Sequence, residues 1–562
     1  MQASGASPTL HPVAWVVIAG TILALPVLLF GFPHRTGDGA QHEIWYANFV
    51  AELAGGEVYP RWLPAMNGGL GSPVGFFYPP LSFYVAGLFH PFFAEDVFQW
   101  RALSASAALG LVGSGLTAYL WLRESTAREI AAIVAIVYMA LPYHLAVDLH
   151  LRGALPEFWA FVTMPLVLYA TTRAVQGNRR GVALLAVSYA LLIMTHAPTT
   201  LIFSWVPPVY ALFIAPRQHA LASFARTVAG MAIGACLAGI YLVPALTTQD
   251  YVSMAAMVTG KFDYANGFFF AHFGGHIGRD GLERTLFWVA VATAGAGLLT
   301  WPWRVDRRQH VFWTIVLVTA MFMMFPISEP VYALVPLLPR IQFPWRFNAL
   351  LAVATCALLP AVLQWVPAAV RSLAAQSPRL YDIAHVAAGV VLLGWTLLSY
   401  NPLVRSPEVP SWERKRLNLD AREYRPRWAT QDIAATLAES ASEEGGRVRP
   451  VAIVAGSGSV SVLERAARRI VLEVATTGSV VEVRQFYYPG WEAMLATGER
   501  LAVEPSIPAG LIRIAVPDGA RTIVLRLGES WAERLGHWLS LLGAVAVCWL
   551  ALRPGRMLKS ST

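Results

Sequence analysis

The sequence predicts a multi-pass α-helical membrane protein with a β-rich domain placed before its last membrane helix. Three observations predict it. Hydrophobic residues make up 56% of the 562 and charged residues only 14%, against roughly a quarter charged in soluble domains. Uncharged apolar runs recur, and about 20 apolar residues cross a bilayer as helix. Between 401 and 532 the character changes: charge rises at Trp412-Glu-Arg-Lys-Arg416 and Glu443-Glu444, and short alternating runs replace the long ones.

The first apolar run, 12–32, lacks a basic leader and a small-residue cleavage site, so it reads as a retained helix. Six basic clusters then punctuate the chain: Arg123/Arg128, Arg173/Arg179/Arg180, Arg217/Arg226, Arg304/Arg307/Arg308, Arg371/Arg379 and Arg553/Arg556/Lys559. Two apolar spans fit between each consecutive pair: 129–147 with 157–176, 181–197 with 199–215, 227–246 with 284–303, 310–327 with 346–366, and 381–400 with 533–552. Two crossings return the chain to its starting side, so all six clusters share one face, and Lys and Arg mark the cytoplasmic one. The segments inside each pair (148–156, the turn at His196, 247–283, 328–345 and 401–532) then face the other side. Runs 12–32 and 100–122 complete a count of about twelve spans. Run 76–94, interrupted by Pro79, Pro80 and Pro91, reads as a helix lying along the membrane surface.

These elements divide the chain into a transmembrane domain at 1–400, whose first outer loop covers 33–99, a β-rich domain at 401–532, and a final helix with a basic tail at 533–562. Runs Val460–Leu463, Ile470–Val474, Val480–Phe486, Leu511–Val516 and Thr522–Leu527, punctuated by Gly, Pro and Asp, carry the antiparallel β pattern. The net charge of +8 is loop charge that sets orientation, not a nucleic-acid surface. Cys236, Cys356 and Cys548 each sit inside an apolar run and form neither a metal spacing nor a disulfide framework. No internal repeat marks a transporter built from duplicated halves.

Candidate chemistry gathers in the loops predicted to share a face. Asp38 stands between two glycines just after the first helix, with His42 one helical turn on. It suits a general base, and it equally suits a helix N-cap with Gln41 as the matching residue of a capping box. In Asp148-Leu-His150-Leu-Arg152-Gly-Ala-Leu-Pro-Glu157, Arg152 has the fork geometry for a phosphate, while structural pairing with Arg152 is the better reading for Glu157. His196 lies in the tight turn Thr195-His-Ala-Pro198. Arg340 and Arg346 in Leu338-Pro-Arg-Ile-Gln-Phe-Pro-Trp-Arg346 suit a rigid anion site, or else snorkel from an interfacial belt. His272 and His276, four apart in a Gly-rich loop, are weak metal candidates. Phe486-Tyr-Tyr-Pro-Gly-Trp491 reads as a β-turn in an aromatic core rather than a sugar-stacking platform.

With Asp38 after helix one, Arg152-Gly-Ala-Leu-Pro-Glu157, Thr195-His-Ala-Pro198 and Gln342-Phe-Pro-Trp-Arg-Phe347 in order, the chain resembles the bacterial GT-C membrane glycosyltransferase superfamily. Within it, the chain is similar to the branch called 6-pyruvoyl-tetrahydropterin-synthase-related membrane proteins. Phe486-Tyr-Tyr-Pro-Gly-Trp491 followed by a closing helix fits that branch too. Nothing in these motifs points to pterin chemistry. The resemblance implies an active site on the extracytoplasmic face of a bacterial inner membrane, a polyprenyl-phosphate sugar donor, and a glycan, lipid or protein acceptor activated by Asp38. Arg340, Arg346 and Arg152 would then hold the donor phosphate, with His42, Glu43, Glu157 and His196 in support and Phe76, Phe77 and Tyr78 guiding the lipid tail. Many relatives place a second acidic residue beside the first; here Gly39 follows and Glu43 is the nearest carboxylate, so a divalent cation is left open and no other cofactor is expected. A lipid-linked sugar transporter and a non-enzymatic assembly factor for surface polysaccharide are the rival readings.

Overall fold

The computed structural model of the chain describes residues 11–33, 37–93, 100–271, 277–303, 306–400, 418–439, 450–519 and 521–552. Among them, ten helices are long and apolar enough to cross a membrane, and an eleventh if the pair Arg307–Phe322 and Pro326–Leu334, bent by 102°, is one span. Helix Arg179–Thr195, with 17 residues, is shorter. The count of about twelve thus becomes ten or eleven by length and composition.

Contacts at the helix ends show how the bundle is arranged. Arg173 pairs with Glu124 at 3.4 Å, Arg226 donates to the Ala174 carbonyl at 3.1 Å, Arg308 to that of Ala215 at 3.1 Å, and Arg180 to that of Ala551 at 3.3 Å. The basic loops therefore meet at one end. Helix Arg128–Arg152 runs 25 residues from that end and delivers Arg152 to the other. A cavity of about 330 Å³ opens near the basic end, lined by Trp121, Tyr210, Trp313 and Asp306 among others.

The stretch 76–94 is not one surface helix. It breaks into Val74–Phe77, Leu81–Gly87 and His90–Phe92, as its prolines dictate. Phe76 and Phe77 point inward: Phe76 packs on Tyr488 with ring centroids 5.1 Å apart, and Phe77 stacks on Tyr424 at 6.3 Å. The helix Gly37–Ala54 precedes them and carries Asp38 in its first turn.

The β domain is a seven-stranded antiparallel sheet made of β1 (Val451–Ala466), β2 (Arg469–Phe486), β3 (Trp491–Leu495), β4 (Arg500–Leu501), β5 (Val503–Pro505), β6 (Leu511–Val516) and β7 (Thr522–Leu527). The order is β4-β3-β7-β2-β6-β5, with β1 on the free side of β2. β2 is long enough to pair with β7 through Arg469–Glu473 and with β6 from Ser479 to Phe486. Leu472, Val474, Val481 and Val483 alternate into the core, the period of two that a half-buried strand requires. The Phe486 amide donates to the Leu70 carbonyl at 2.7 Å and Arg465 to that of Gly69 at 2.8 Å, so the sheet grips the loop after the acidic helix. Tyr488 and Trp491 bury against Trp62, which makes Phe486–Trp491 part of that joint.

The final helix, Trp531–Leu552, docks through glycines. A Cβ on Gly536 would lie 2.6 Å from the Gly239 carbonyl oxygen, and one on Gly543 2.6 Å from the Leu237 nitrogen. Small residues let helix backbones approach where lipid supplies no hydrophobic drive. Gly536→Leu should lower the melting temperature of the detergent-solubilised protein, by an overpacking cost of about 1–3 kcal/mol. Gly394→Leu, with nothing within 4 Å of the added Cβ, should leave it unchanged in the same thermal-shift series.

Candidate functional site

At the end of the bundle away from the basic loops, charges collect around one guanidinium. Arg152 Nη1 contacts Asp148 Oδ1 at 2.7 Å and Glu157 Oε2 at 2.9 Å, while Nη2 and Nε reach Asp38 Oδ2 at 2.9 and 3.1 Å. Arg346 Nε lies 3.3 Å from the same Glu157 oxygen, and Tyr143 donates its hydroxyl to Glu157 Oε1 at 2.6 Å. Asp148 and Glu157 are 0% and 1% exposed, and Asp38 is 46% exposed. Two buried carboxylates thus anchor the cation, and a third, partly open, is held by it.

Local structure explains the convergence. After Pro142 the helix winds as a π-helix over Tyr143–Arg152, a wider turn that recurs at functional sites. Gly153 then takes φ +63°, a left-handed conformation that favours glycine, and the next helix starts at Leu155 with Glu157 in its first turn. The reversal sets Glu157 beside Arg152. Arg346 comes from the turn Pro344–Phe347, fixed by its donation to the Ile341 carbonyl at 2.7 Å. Gln342 holds φ +63° there without being glycine, a strained state costing about 1–3 kcal/mol. The Trp345 ring lies under Arg152, 4.6 Å from Cζ, and Phe343 stacks on Trp345 at 5.0 Å. The aromatics restrict both arginines.

The acidic helix presents one face to this network. Asp38, His42 and Trp45 follow at i, i+4 and i+7. His42 Nδ1 lies 2.9 Å from the Gly153 carbonyl, so it carries the proton, and Nε2 accepts from the Tyr78 hydroxyl at 2.7 Å. Burial lowers the His42 pKa, opposed by the Asp38 charge and the Gly153 bond, and burial raises that of Tyr78. Both groups are neutral and engaged with each other. Trp45 Nε1 donates to Asp420 Oδ1 at 2.9 Å, and Ser72 Oγ donates to Asp420 Oδ2. Burial pushes Asp420 up to about 6, with hydrogen bonds from Ser72, Trp45 and the Ala421 amide opposing it.

The structure sorts the predicted residues. Asp38, His42, Tyr78, Arg152, Glu157 and Arg346 meet. His196 is buried nearby, bonded to Thr199 at 2.8 Å, and burial lowers it to about 3 against the Glu157 charge. Glu43 is buried within the acidic helix. Arg340 stands apart, exposed and donating to the Gln249 side chain. Arg152 cannot serve as the free phosphate fork of the sequence reading, because three carboxylates already take its guanidinium. Phe76 and Phe77 face the β domain rather than lipid. Gln41 does not close a capping box with Asp38; its amide donates to the Leu419 carbonyl at 3.3 Å. Asp148, Tyr143 and Asp420 went unselected, and only Asp148, four residues before Arg152, had a readable spacing.

Asp38, Asp148 and Glu157 all point at Arg152, so the place where a dication would draw their charge holds a guanidinium. Among the described residues no group of three His, Cys, Asp or Glu is placed to hold a metal ion. His272 and His276 lie outside the described residues. The network as built does not fit a divalent cation.

The fold and this buried ionic site define a polytopic helical membrane protein with a β domain near its C-terminus. The chain belongs to the 6-pyruvoyl-tetrahydropterin synthase related family of membrane proteins, whose pattern matches residues 76–399. No curated protein matches it. Similar solved structures include the apo oligosaccharyltransferase of Archaeoglobus fulgidus, at 13% identity and TM-score 0.43, over 77% of this chain and 58% of that one. Arabinofuranosyltransferase AftD from Mycobacteria, in a mutant form, is similar at 18% identity and TM-score 0.44, over 72% of this chain and 29% of that one. The chain therefore spans less than two thirds of the length of either.

Two outcomes follow for stability. Arg152→Ala strands the buried Asp148, leaves Glu157 with Arg346 and Tyr143 alone, and should cost about 3–5 kcal/mol, whereas Asp38→Asn, at the open edge, should cost no more than about 1 kcal/mol; thermal unfolding in detergent separates them. Asp420, raised when folded, contributes stability that is complete below its unfolded value near 4 and is lost as pH rises through about 6. Asp420→Asn mimics the protonated form. It should remove about 2–3 kcal/mol of pH dependence between pH 4 and 6, read from melting temperature against pH.

Proposed function

We propose that the chain is an inverting GT-C-type glycosyltransferase that moves a sugar from a polyprenyl-phosphate donor to an extracytoplasmic glycan, lipid or protein acceptor, with Asp38 as base. The observation that carries this reading is the asymmetry of the carboxylates. Asp148 and Glu157 are sealed, while Asp38 is half open and oriented by two bonds from Arg152 to a single oxygen, Oδ2. Its Oδ1 takes no hydrogen bond among the described residues. A pre-oriented, reachable carboxylate oxygen is what deprotonation of a hydroxyl requires.

In the proposed step the acceptor oxygen attacks the anomeric carbon from the face opposite the leaving group. The new C–O bond forms as the bond to the lipid phosphate breaks. The hydroxyl proton passes to Asp38, and the electron pair leaves on the phosphate. Arg152, already neutralised, holds the base in place rather than binding the donor. Charge stabilisation at the departing phosphate then falls to Arg346, with one carboxylate partner. Because the basic loops sit at the opposite end, the bias of Lys and Arg towards the cytoplasm supports an extracytoplasmic site.

The test is complementation of a deletion strain by wild type and by Asp38→Asn at matched membrane expression, with mass spectrometry of surface glycans and lipid-linked sugars. The expected result is loss of a sugar that wild type restores, with its donor lipid accumulating and transfer down at least 100-fold. Full restoration by Asp38→Asn would remove Asp38 as base and favour an assembly or transport role.

A further inference from the structure

Asp420 is a buried carboxylate, 3% exposed, whose hydrogen-bond partners are neutral donors. Such a group is costly unless hydrogen bonds satisfy it. It accepts from Trp45 Nε1 at 2.9 Å and from the Ala421 amide at 2.8 Å on Oδ1, and from Ser72 on Oδ2. Its own amide donates to Asn67 Oδ1 at 2.9 Å, and the preceding Asn418 carbonyl accepts from the Asn67 amide at 3.0 Å. Asn67 itself sits at φ +56°. Leu419 receives the Gln41 amide, and Tyr424 packs edge-on to Trp45 at 5.6 Å and to Tyr78 at 6.2 Å. A segment that closely precedes the β domain in sequence is thus pinned across the helix that carries Asp38.

We infer that Asp420 is a positioning residue for the site: it fastens segment 418–424 onto the acidic helix and so fixes the face on which Asp38 stands. The physical links are short. Asp420 orients Trp45, whose ring lies 4.4 Å from that of Tyr78. Tyr78 donates to His42, and His42 donates to the carbonyl of Gly153, next to Arg152, which holds Asp38. Arg152 holds the start of the acidic helix at Asp38, and Asp420 holds it at Trp45, two turns further along. A displacement of about 1 Å at such a group can cost on the order of 100-fold in rate. The assignment of a catalytic consequence rests on the proposed base role of Asp38, whereas the mechanical link does not.

Hydrogen exchange of the full-length protein in detergent tests the link without a substrate. Asp420→Ala should raise exchange across 37–54 by at least tenfold while 143–157 keeps its protection. Asp420→Asn, which still accepts from Trp45 and can donate to Ser72, should restore it. In the complementation assay Asp420→Ala should cut transfer at least tenfold at matched expression, and Asp420→Asn should recover most of it. Unchanged exchange across 37–54 in Asp420→Ala would overturn the inference, as would failure of Asp420→Asn to restore protection. If exchange rises as expected but Asp38→Asn transfers normally, the mechanical link stands and the transferase reading falls.

Discussion

A guanidinium shared by three carboxylates holds this end of the protein together. In a membrane interior an unpaired charge is expensive, and a pair repays its desolvation only with good geometry and further hydrogen bonds. Arg152 meets that condition through three nitrogens, a ring beneath it and a second arginine on Glu157. Sealing two carboxylates fixes the cation, and the fixed cation fixes the third. Rigidity is thereby transferred from the buried core to a group at the edge.

The β domain extends the same constraint from outside. Its strands grip the loop at 69–71, its aromatic turn at Tyr488 and Trp491 fills against Trp62 and Phe76, and the segment before it crosses the acidic helix. Arg61 joins in: it pairs with Glu533 of the final helix at 3.2 Å, and Arg468 shares that carboxylate at 2.7 Å. Loop, sheet and last helix thus form one support for a helix that is itself too polar to be held by lipid.

How much was legible in the sequence follows from range. Membrane helices are local statements of composition, and basic loops alternate with them, so the arrangement of ends could be read. The Arg152–Glu157 pair spans a five-residue reversal, and Arg346 sits in a Pro-rich turn whose rigidity is visible. Asp38 stood out as a carboxylate between glycines. What failed was everything set by distant contact. Phe76 and Phe77 looked like lipid-facing rings because Tyr488 and Tyr424, the rings that pack on them, come more than 340 residues later. Arg152 looked like a free fork because Asp38 comes from another helix, more than 110 residues earlier, although the spacing of Asp148, four residues before it, was readable. Asp420 lies next to a charged, featureless stretch, and its partners Trp45 and Ser72 are more than 340 residues away.

The most direct measurement is a density map of the protein with a polyprenyl-phosphate sugar bound. The expected density places the sugar beside Asp38, with Oδ1 facing the acceptor side of the anomeric carbon and the phosphate against Arg346. Density for the lipid-linked sugar in the cavity lined by Trp121, Tyr210 and Trp313, with the Arg152 network vacant of ligand, would contradict it.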